Sequence, residues 1–314
     1  MTRGGIWVLC FRLAGVALIA LIISQHAPTV YQPLVDPSTD KQPGFPVRVA
    51  AYYPWYPESW SQQGEDRFSH YTPNGGYYRS DDGARIAEQI AAMRYGYVDV
   101  ALTSWWGQGH YTDRRLPILL TAAAGSGLHI ATYYEKEGYG DPPAGELHSD
   151  LQYLASRYGT DPSFYRIDGR PVVFVWTDMF DGCATLTRWH EANRDIGVYI
   201  VMKVVLGFRL CLDQPDAWHQ YGPASPTNDW GGGTFAISPG FWKANEVEPR
   251  LGRDLTRWTD DIAAMLASGE RFQLITSFNE WGEGTAVESA PEWATSSGYG
   301  AYLDALHAAG PGRP

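Results

Sequence analysis

Three stretches near the start of the folded body decide the fold class: VRVAAYY at residues 47–53, DDGARIAEQIAAMRY at residues 81–95 and YVDVALTS at residues 97–104. The first and third are short apolar runs of the kind that form buried strands. The second carries Ile86 and Ile90 one helical turn apart, which indicates an amphipathic helix. Together they predict a strand, a helix and a second strand, the repeating unit of α/β proteins.

The same alternation continues along the chain. Candidate strands lie at Val47–Tyr53, Tyr97–Ser104, Leu128–Tyr134, Pro171–Trp176, Val198–Leu206, Ala217–Tyr221, Thr234–Ser238 and Phe272–Ser277. Further helix-like segments lie at Leu116–Gly125, Gly145–Tyr158, Ala184–Asp195 and Asp254–Ser268, whereas the segment between the fifth and sixth strands is too short for a full helix. The pattern predicts a single (β/α)₈ TIM-type barrel over residues 47–314, with extended loops at its C-terminal face. A doubly wound open sheet is the alternative, but no G-x-G-x-x-G phosphate loop follows the first strand.

The composition excludes one class of protein and disfavours another. With 44% hydrophobic residues, the 314-residue chain can fill a core, which excludes intrinsic disorder. A formal net charge of −11 disfavours nucleic acid as a partner, because phosphate contacts need basic patches. Aromatic residues make up 14% of the chain, and large rings either build a core or offer surfaces on which apolar ligand faces stack.

The N-terminus is typical of an exported protein. Residues 1–27 contain an apolar run at residues 6–23 and are predicted to be a signal peptide or an N-terminal anchor, with a buried core helix as a third interpretation. Residues 28–46 are Pro-rich and predict an extended linker. We therefore expect a secreted or extracytoplasmic protein, tethered to a membrane through residues 6–23 if that segment is not cleaved.

Two cysteines lie beyond this segment, Cys183 and Cys211. In an exported protein they are a candidate disulfide. Two free buried thiols remain the alternative, because a bond requires Cα atoms that come close, which a sequence does not show.

Aromatic residues concentrate where the predicted strands end. In a (β/α)₈ barrel these ends meet at the C-terminal face, where active sites lie. Ring faces suit the C–H face of a pyranose while neighbouring acids and amides bind its hydroxyl groups; packing at the top of the barrel is the alternative. The candidate substrate-binding residues are Tyr53, Trp55, Trp105, Trp106, Tyr134, Glu135, Trp176, Asn279 and Trp281.

Glu280 and Glu283 are the candidate catalytic residues. They are three residues apart beside two glycines and a tryptophan, so both can reach one cleft. Glycoside hydrolysis typically uses two carboxyl groups, one protonated and one ionised, and burial beside a like charge separates their pKa values. Glu135, after the third strand, is expected to support catalysis or to bind the substrate. The expected partner is an oligo- or polysaccharide substrate.

Metal and nucleophile chemistry are not indicated. The 8 histidines show neither H-x-x-x-H nor H-E-x-x-H spacing, and no G-x-S-x-G elbow occurs. We expect no metal and no cofactor.

These motifs together resemble glycoside hydrolase family 99, the endo-α-mannosidases and endo-α-mannanases. The similarity covers nearly the whole body and is carried by Tyr52–Tyr56, Ser104–Gly107, Tyr133–Glu135, Asp168–Val172 and, most specifically, Ile275–Thr285 with Glu288. The resemblance implies a (β/α)₈ barrel and a retaining glycosidase. It further implies that Glu280 is the base toward the substrate's own 2-hydroxyl group and Glu283 the general acid and then the base. Glu135 would hold that hydroxyl group, and Trp106 would stack on the sugar before the cleavage point.

One position departs from the family pattern. The family commonly has a histidine between the tryptophan and the second glutamate, and here that residue is Gly282. With glycine at this position the expected catalytic roles are unchanged, but mannose is no longer the only sugar expected in the substrate. Another α-glycan or a cell-wall polysaccharide is therefore an alternative substrate, and a non-catalytic glycan-binding protein is the alternative from another class. The sugar, the linkage, the endo or exo mode and the oligomeric state are left open.

Overall fold

The computed structural model describes residues 34–38 and 40–311. The strands of this part are β1 (Val47–Tyr52), β2 (Ser61–Gln62), β3 (Glu65–Asp66), β4 (Val100–Trp105), β5 (His129–Tyr134), β6 (Arg166–Ile167), β7 (Arg170–Val175), β8 (Tyr199–Lys203), β9 (Ala217–His219), β10 (Thr227–Asp229), β11 (Thr234–Ile237) and β12 (Phe272–Ile275). Its helices are α1 (Gly83–Tyr95), α2 (Tyr111–Ala123), α3 (Glu137–Gly140), α4 (Ala144–Arg157), α5 (Cys183–Asn193), α6 (Leu255–Ala267) and α7 (Ala301–Ala308). The predicted signal or anchor segment at residues 1–27 lies outside the described residues. Among the described helices, none has the length and apolar character needed to cross a membrane.

The main sheet is curled and almost entirely parallel. Its strands follow the order β10-β11-β12-β1-β4-β5-β7-β8-β9, in which β10 alone is antiparallel to its neighbour, and the short β6 pairs antiparallel with β7 beside this path. The parallel strands are the ones predicted from the sequence, and their order in space is their order in the chain. The curl brings the last of them back to the first, so that Phe272 in β12 lies opposite Val47 in β1.

Strand β9, at one end of this sheet, and β11, the second strand from the other end, approach each other without a strand ladder in the described chain. The Trp218 N–H donates to the Gly232 carbonyl oxygen at 3.3 Å, and Thr234 Oγ1 donates to the Trp218 carbonyl oxygen at 2.8 Å. The predicted α/β class and parallel sheet are confirmed, whereas ladder pairing does not run through the full circle of a closed eight-stranded barrel.

Helix α1 illustrates how the sequence builds the outer layer. The Asp82 side chain caps its first turn by accepting the N–H groups of Ala84 and Arg85. Ile86 and Ile90 of this helix are buried against the sheet, as their spacing predicts. Between β8 and β9 the chain forms only a 3₁₀ turn, Phe208–Leu210, in agreement with the short segment there.

Alternation along each strand divides the core in two. Val49 and Ala51 of β1 join a cluster made of strand and loop residues, while Ala50 and Tyr52 pack in a second cluster that includes the helices. Successive side chains of a strand point to opposite faces, so each strand contributes side chains both to the interior of the curled sheet and to the contact with the helix layer.

Two further contacts hold peripheral segments to the body. Asp40, in the stretch predicted as a linker, forms a buried ion pair with Arg166, with Oδ2 and Nε 2.6 Å apart. Cys183, the first residue of α5, is disulfide-bonded to Cys211, and their Cα atoms are 5.3 Å apart. The disulfide therefore ties the loop after β8 to the start of α5.

Candidate active site

A cleft of ≈ 750 Å³ lies at the carboxyl ends of the parallel strands. Its lining brings together Glu135, which follows β5, and Glu280 and Glu283, which follow β12. Parallel strands that curl into one sheet place their carboxyl ends at one mouth, which is why acids distant in sequence meet here. The rings that line the same cleft are Tyr53, Trp55, Phe68, Trp106, Tyr111, Tyr133, Tyr139, Trp176 and Tyr221.

Glu280 is the deeper member of the acid pair, with 6% of its surface exposed. Its backbone N–H donates to Ser277 Oγ at 2.8 Å, and its Oε1 accepts the backbone N–H of Glu283 at 3.3 Å. Its second carboxyl oxygen, Oε2, is buried and has no hydrogen-bond partner among the described residues. One oxygen is thus held by the local turn and the other is left for a ligand.

Glu283 lies nearer the solvent and is held from the side. The Tyr221 hydroxyl donates to Glu283 Oε2 at 2.9 Å, and the Lys243 ammonium lies 4.0 Å from Oε1. Tyr53 in turn donates its hydroxyl hydrogen to the Tyr221 hydroxyl oxygen at 3.0 Å. A relay of two tyrosines therefore connects the end of β1 to this carboxylate.

Burial raises the pKa of both acids of the pair. Repulsion from Glu283 raises the pKa of Glu280 further, well above its ordinary value. The pKa of Glu283 is raised by burial as well, against the opposing effect of the Tyr221 hydrogen bond and the nearby Lys243 charge. Two such close carboxyl groups titrate as a pair, and with both pKa values raised they retain a proton that two free glutamates would have lost.

Glu135 is the third acid of the cleft. Burial raises its pKa to about 8, although a hydrogen bond from Ser104 opposes that effect. The same Ser104 hydroxyl oxygen accepts the indole N–H of Trp106 at 3.1 Å. The ring of Trp106 and the carboxyl group of Glu135 are therefore oriented through one serine.

Four buried polar atoms of the lining lack partners within the described part of the chain: Glu135 Oε1, Glu280 Oε2, the Tyr133 hydroxyl and the Trp55 indole N–H. Buried polar groups in proteins are normally hydrogen-bonded, so each marks a place for a ligand atom. A ligand that both donates and accepts hydrogen bonds and has apolar faces, as a sugar does, satisfies this set.

The structure separates the predicted binding residues into two groups. Tyr53, Trp55, Trp106 and Trp176 line the cleft with Glu135.

Trp105 and Tyr134 do not line it, which corrects the sequence-based assignment. The Trp105 indole donates to Asp113 in α2 at 2.9 Å, and the Tyr134 hydroxyl donates to Asp150 in α4 at 2.9 Å. Both side chains point outward because they fall on the opposite strand face from their neighbours.

Asn279 and Trp281 are also absent from the lining and are fully buried beneath it. Asn279 Oδ1 accepts the Tyr53 N–H at 2.7 Å, and its Nδ2 donates to the Tyr53 carbonyl oxygen at 3.1 Å. The Trp281 indole donates to Glu288 Oε2 at 3.1 Å. These two residues hold the end of β1 and the acid-bearing turn in place, so their role is support of the cleft.

Sequence reasoning missed several lining residues. Tyr133 could have been chosen over Tyr134 from strand alternation, and Tyr221 ends the predicted sixth strand. Phe68, Tyr139 and Lys243 lie outside the strands, where no periodicity marks the residues that return to the cleft.

One group of acids outside the lining could hold a cation: Glu137, Asp141 and Asp181, whose ligand atoms lie within 4.8 Å of one another. The Arg188 guanidinium already contacts Glu137 and Asp141. One positive charge of the protein is therefore already bound to two of these three acids.

The fold and the cleft define the class. A curled parallel sheet with paired carboxyl groups and stacking rings at its C-terminal edge is typical of TIM-barrel glycoside hydrolases.

Comparisons with known proteins point to one family of glycoside hydrolases. The model of glycosyl hydrolase family 99 matches residues 47–194. Glycoprotein endo-alpha-1,2-mannosidases of Mus musculus and Xenopus laevis are 24% and 22% identical, over 79% and 76% of this chain and 62% and 63% of their own length. These matches support glycoside hydrolase family 99 as the family that the chain resembles.

Solved structures show the same fold. The family 99 endo-alpha-mannosidase from Bacteroides thetaiotaomicron, in complex with BIS-TRIS-propane, is similar with a TM-score of 0.65 and 21% identity, covering 83% of this chain and 94% of that one. A glycoside hydrolase-like protein has a TM-score of 0.63 and 15% identity, covering 90% and 97%. The chain spans 62% of the length of the first curated relative, the mouse enzyme.

Proposed function

We propose that this protein is a retaining glycoside hydrolase that cleaves an α-linked, mannose-containing glycan with Glu280 and Glu283. The observation that carries the proposal is the meeting of three acids in one ring-lined cleft, two of them buried and with a carboxyl oxygen that has no partner among the described residues. The names of the curated relatives, endo-alpha-1,2-mannosidases, support α-mannosyl glycans as the substrate class.

In the first step, Glu280 removes the proton of the sugar's 2-hydroxyl group. The oxygen O2 forms a bond to the anomeric carbon C1, and the bond between C1 and the glycosidic oxygen breaks. Glu283 donates its proton to that leaving oxygen. The sugar becomes a 1,2-anhydro sugar, Glu280 is protonated and Glu283 is ionised.

In the second step, Glu283 takes a proton from water. The water oxygen bonds to C1, the C1–O2 bond opens, and O2 regains its proton from Glu280. Both acids return to their starting states and C1 regains its original configuration. A positioned acid or base of this kind contributes about 10²–10⁴-fold to the rate.

This cycle starts with Glu280 ionised, whereas burial and its neighbour raise the pKa of Glu280 above its ordinary value. A bound sugar favours the protonation states that the cycle requires, with Glu280 ionised and Glu283 protonated. Its 2-hydroxyl group donates a hydrogen bond to the free Oε2 of Glu280, which favours the ionised form. The sugar also displaces water from Glu283, whose side chain is 27% exposed, and so favours its protonated form.

A different α-glycan or a cell-wall polysaccharide is the second candidate substrate. The observation that favours it is Gly282, which stands where the family commonly carries a histidine beside the acid pair. A non-catalytic glycan-binding role is the third, and three acids in one cleft speak against it because stacking alone does not require them.

Two further proposals concern the whole chain. We propose that the sheet closes as a (β/α)₈ barrel across β9 and β11, supported by the hydrogen bonds that join Trp218 of β9 to Thr234, the first residue of β11, and to Gly232 just before it. We also propose that residues 1–27 direct export, supported by the disulfide, since such bonds persist in oxidising compartments.

The test of the catalytic proposal compares wild type, Glu280→Gln and Glu283→Gln on a panel of α-mannans, α-glucans and cell-wall glycans. Each variant is expected to lose about 10²–10⁴-fold in kcat, and NMR of the first product should show retained anomeric configuration. The surface variant Glu88→Gln, whose side chain is 65% exposed, is the matched control and should keep full activity. Equal cleavage by wild type and Glu280→Gln would sink the assignment.

A further inference from the structure

Gly282 lies between the two acids at a position too narrow for a side chain. A Cβ atom built on it would lie 3.0 Å from Cδ1 of Phe68 and 3.1 Å from Oε1 of Glu280. Contacts this short force a neighbour to move by a few tenths of an ångström. The space that Gly282 leaves free is therefore what admits the Phe68 ring next to the carboxyl group.

The Phe68 ring is held in that position. Phe68 follows the hairpin of β2 and β3 in the chain, and its backbone N–H donates to the Trp60 carbonyl oxygen at 2.7 Å. The Trp60 ring stacks on Tyr56 with centroids 3.9 Å apart.

The same Tyr56 holds the acid-bearing turn. Its hydroxyl donates to the Asn279 carbonyl oxygen at 2.9 Å and accepts the Trp281 N–H at 3.2 Å. The hairpin and the segment that carries Glu280 thus share one support, so the distance between the Phe68 ring and Glu280 is set by a rigid aromatic cluster.

We propose that Phe68 is a positioning residue for Glu280. Its ring, admitted by Gly282, covers the Oε1 side of the carboxyl group and leaves Oε2 as the face that meets the sugar. The ring is only 7% exposed and lines the cleft, so it excludes water from this side of the acid. The part of the proposal that concerns the reaction rests on the proposed function, and the part that concerns the carboxyl group does not.

Several charged and titratable groups also face Glu280. They are Glu283 on the same segment, Glu135 after β5, and the tyrosines Tyr53, Tyr56, Tyr139 and Tyr221, with Lys243 acting through Glu283. Because these groups stay in place when Phe68 is shortened, a change in the titration of Glu280 reports the loss of the ring and the entry of water.

The kinetic test uses Phe68→Ala, Phe68→Leu, Gly282→Ala and the double variant Phe68→Leu with Gly282→Ala. Phe68→Ala and Gly282→Ala should each lower kcat by about tenfold with little change in KM, since displacing a catalytic group by less than 1 Å has effects of this order. The smaller leucine should relieve the contact with the new Cβ, so the double variant should be more active than Gly282→Ala. If the kcat of the double variant does not exceed the value expected from multiplying the effects of Phe68→Leu and Gly282→Ala, the proposed pairing of Phe68 with Gly282 is wrong.

A measurement without substrate separates this proposal from the proposed function. The side-chain carboxyl resonance of Glu280 is followed by NMR against pH in protein with ¹³C-labelled glutamate, and Glu280→Gln assigns it. Phe68→Ala should lower the pKa of Glu280 by about one unit, because water then solvates the ionised form. An unchanged pKa overturns the proposal, whether or not any glycan is cut. If Phe68→Ala does not fold, Phe68→Leu carries the same titration and is expected to shift the pKa in the same direction by less.

Discussion

Tyr133 and Tyr134 are adjacent and of the same type, yet they serve opposite faces of the sheet. Tyr133 lines the cleft, whereas the Tyr134 hydroxyl donates a hydrogen bond to Asp150 in the helix layer. At the residue scale, sequence analysis predicted that aromatic residues gather at strand ends. Which member of a pair enters the cleft depends on the register of each strand, and a shift of one residue reverses it.

Tyr221 offers the sharpest residue-scale prediction. Its hydroxyl donates to Glu283, which favours the ionised carboxylate and lowers its pKa against burial. Tyr221→Phe should therefore raise the pKa of Glu283. In the proposed mechanism Glu283 must hold a proton to act as the general acid, so the alkaline limb of the kcat/KM profile should move to higher pH by about 0.5–1 unit.

The matched control is Tyr53→Phe, since the Tyr53 hydroxyl donates to Tyr221 and not to a carboxyl group. Its alkaline limb should move less than that of Tyr221→Phe. An alkaline limb in Tyr221→Phe that stays in place or moves to lower pH would contradict the role of this hydrogen bond.

At the element scale, the helix layer is interrupted after β8, where a 3₁₀ turn replaces a full helix. The disulfide between Cys183 and Cys211 fastens this loop to the start of α5. The sequence indicated the short segment and left the state of the cysteines open, because only the approach of two distant segments brings the thiols together.

Replacing both cysteines by serine should lower the free energy of unfolding by about 3 kcal/mol, through the added entropy of the unfolded chain. The bond closes a loop with a sequence separation of 28. Urea unfolding of wild type and the double variant, each with and without a reductant, measures the effect. The reductant should weaken wild type alone, and equal weakening of the double variant would contradict the explanation.

At the scale of the whole molecule, the cleft makes stability depend on pH. The pKa of Glu135 is about 8 in the folded protein against an ordinary value of 4.5, so the native state binds more protons than the unfolded state between these values. The free energy of unfolding should therefore fall as pH rises through this range. This loss of stability at higher pH follows from the burial of the cleft's acids away from water.

Glu135→Gln, which has the shape of the protonated acid, should remove Glu135's part of this dependence. We expect the variant to match wild type near pH 5 and to be more stable at pH 8. The difference should grow by up to about 1.4 kcal/mol per pH unit. Urea unfolding at several pH values measures it, and Glu88→Gln, at a side chain that is 65% exposed, controls for the loss of a carboxyl group outside the cleft. Parallel pH curves for wild type and Glu135→Gln would count against a raised pKa.

By itself, the sequence determined the alternation of strands and helices and indicated that Glu280 and Glu283 can reach one cleft, because strand and helix periodicity and a three-residue spacing are local properties of a chain. The tertiary structure alone decided which other residues enter the cleft. It selected Tyr133 over Tyr134, placed Asn279 and Trp281 beneath the surface, and brought Phe68 to Glu280. These outcomes depend on strand register and on contacts between distant segments, and the burial that results from them sets the pKa values of the acids.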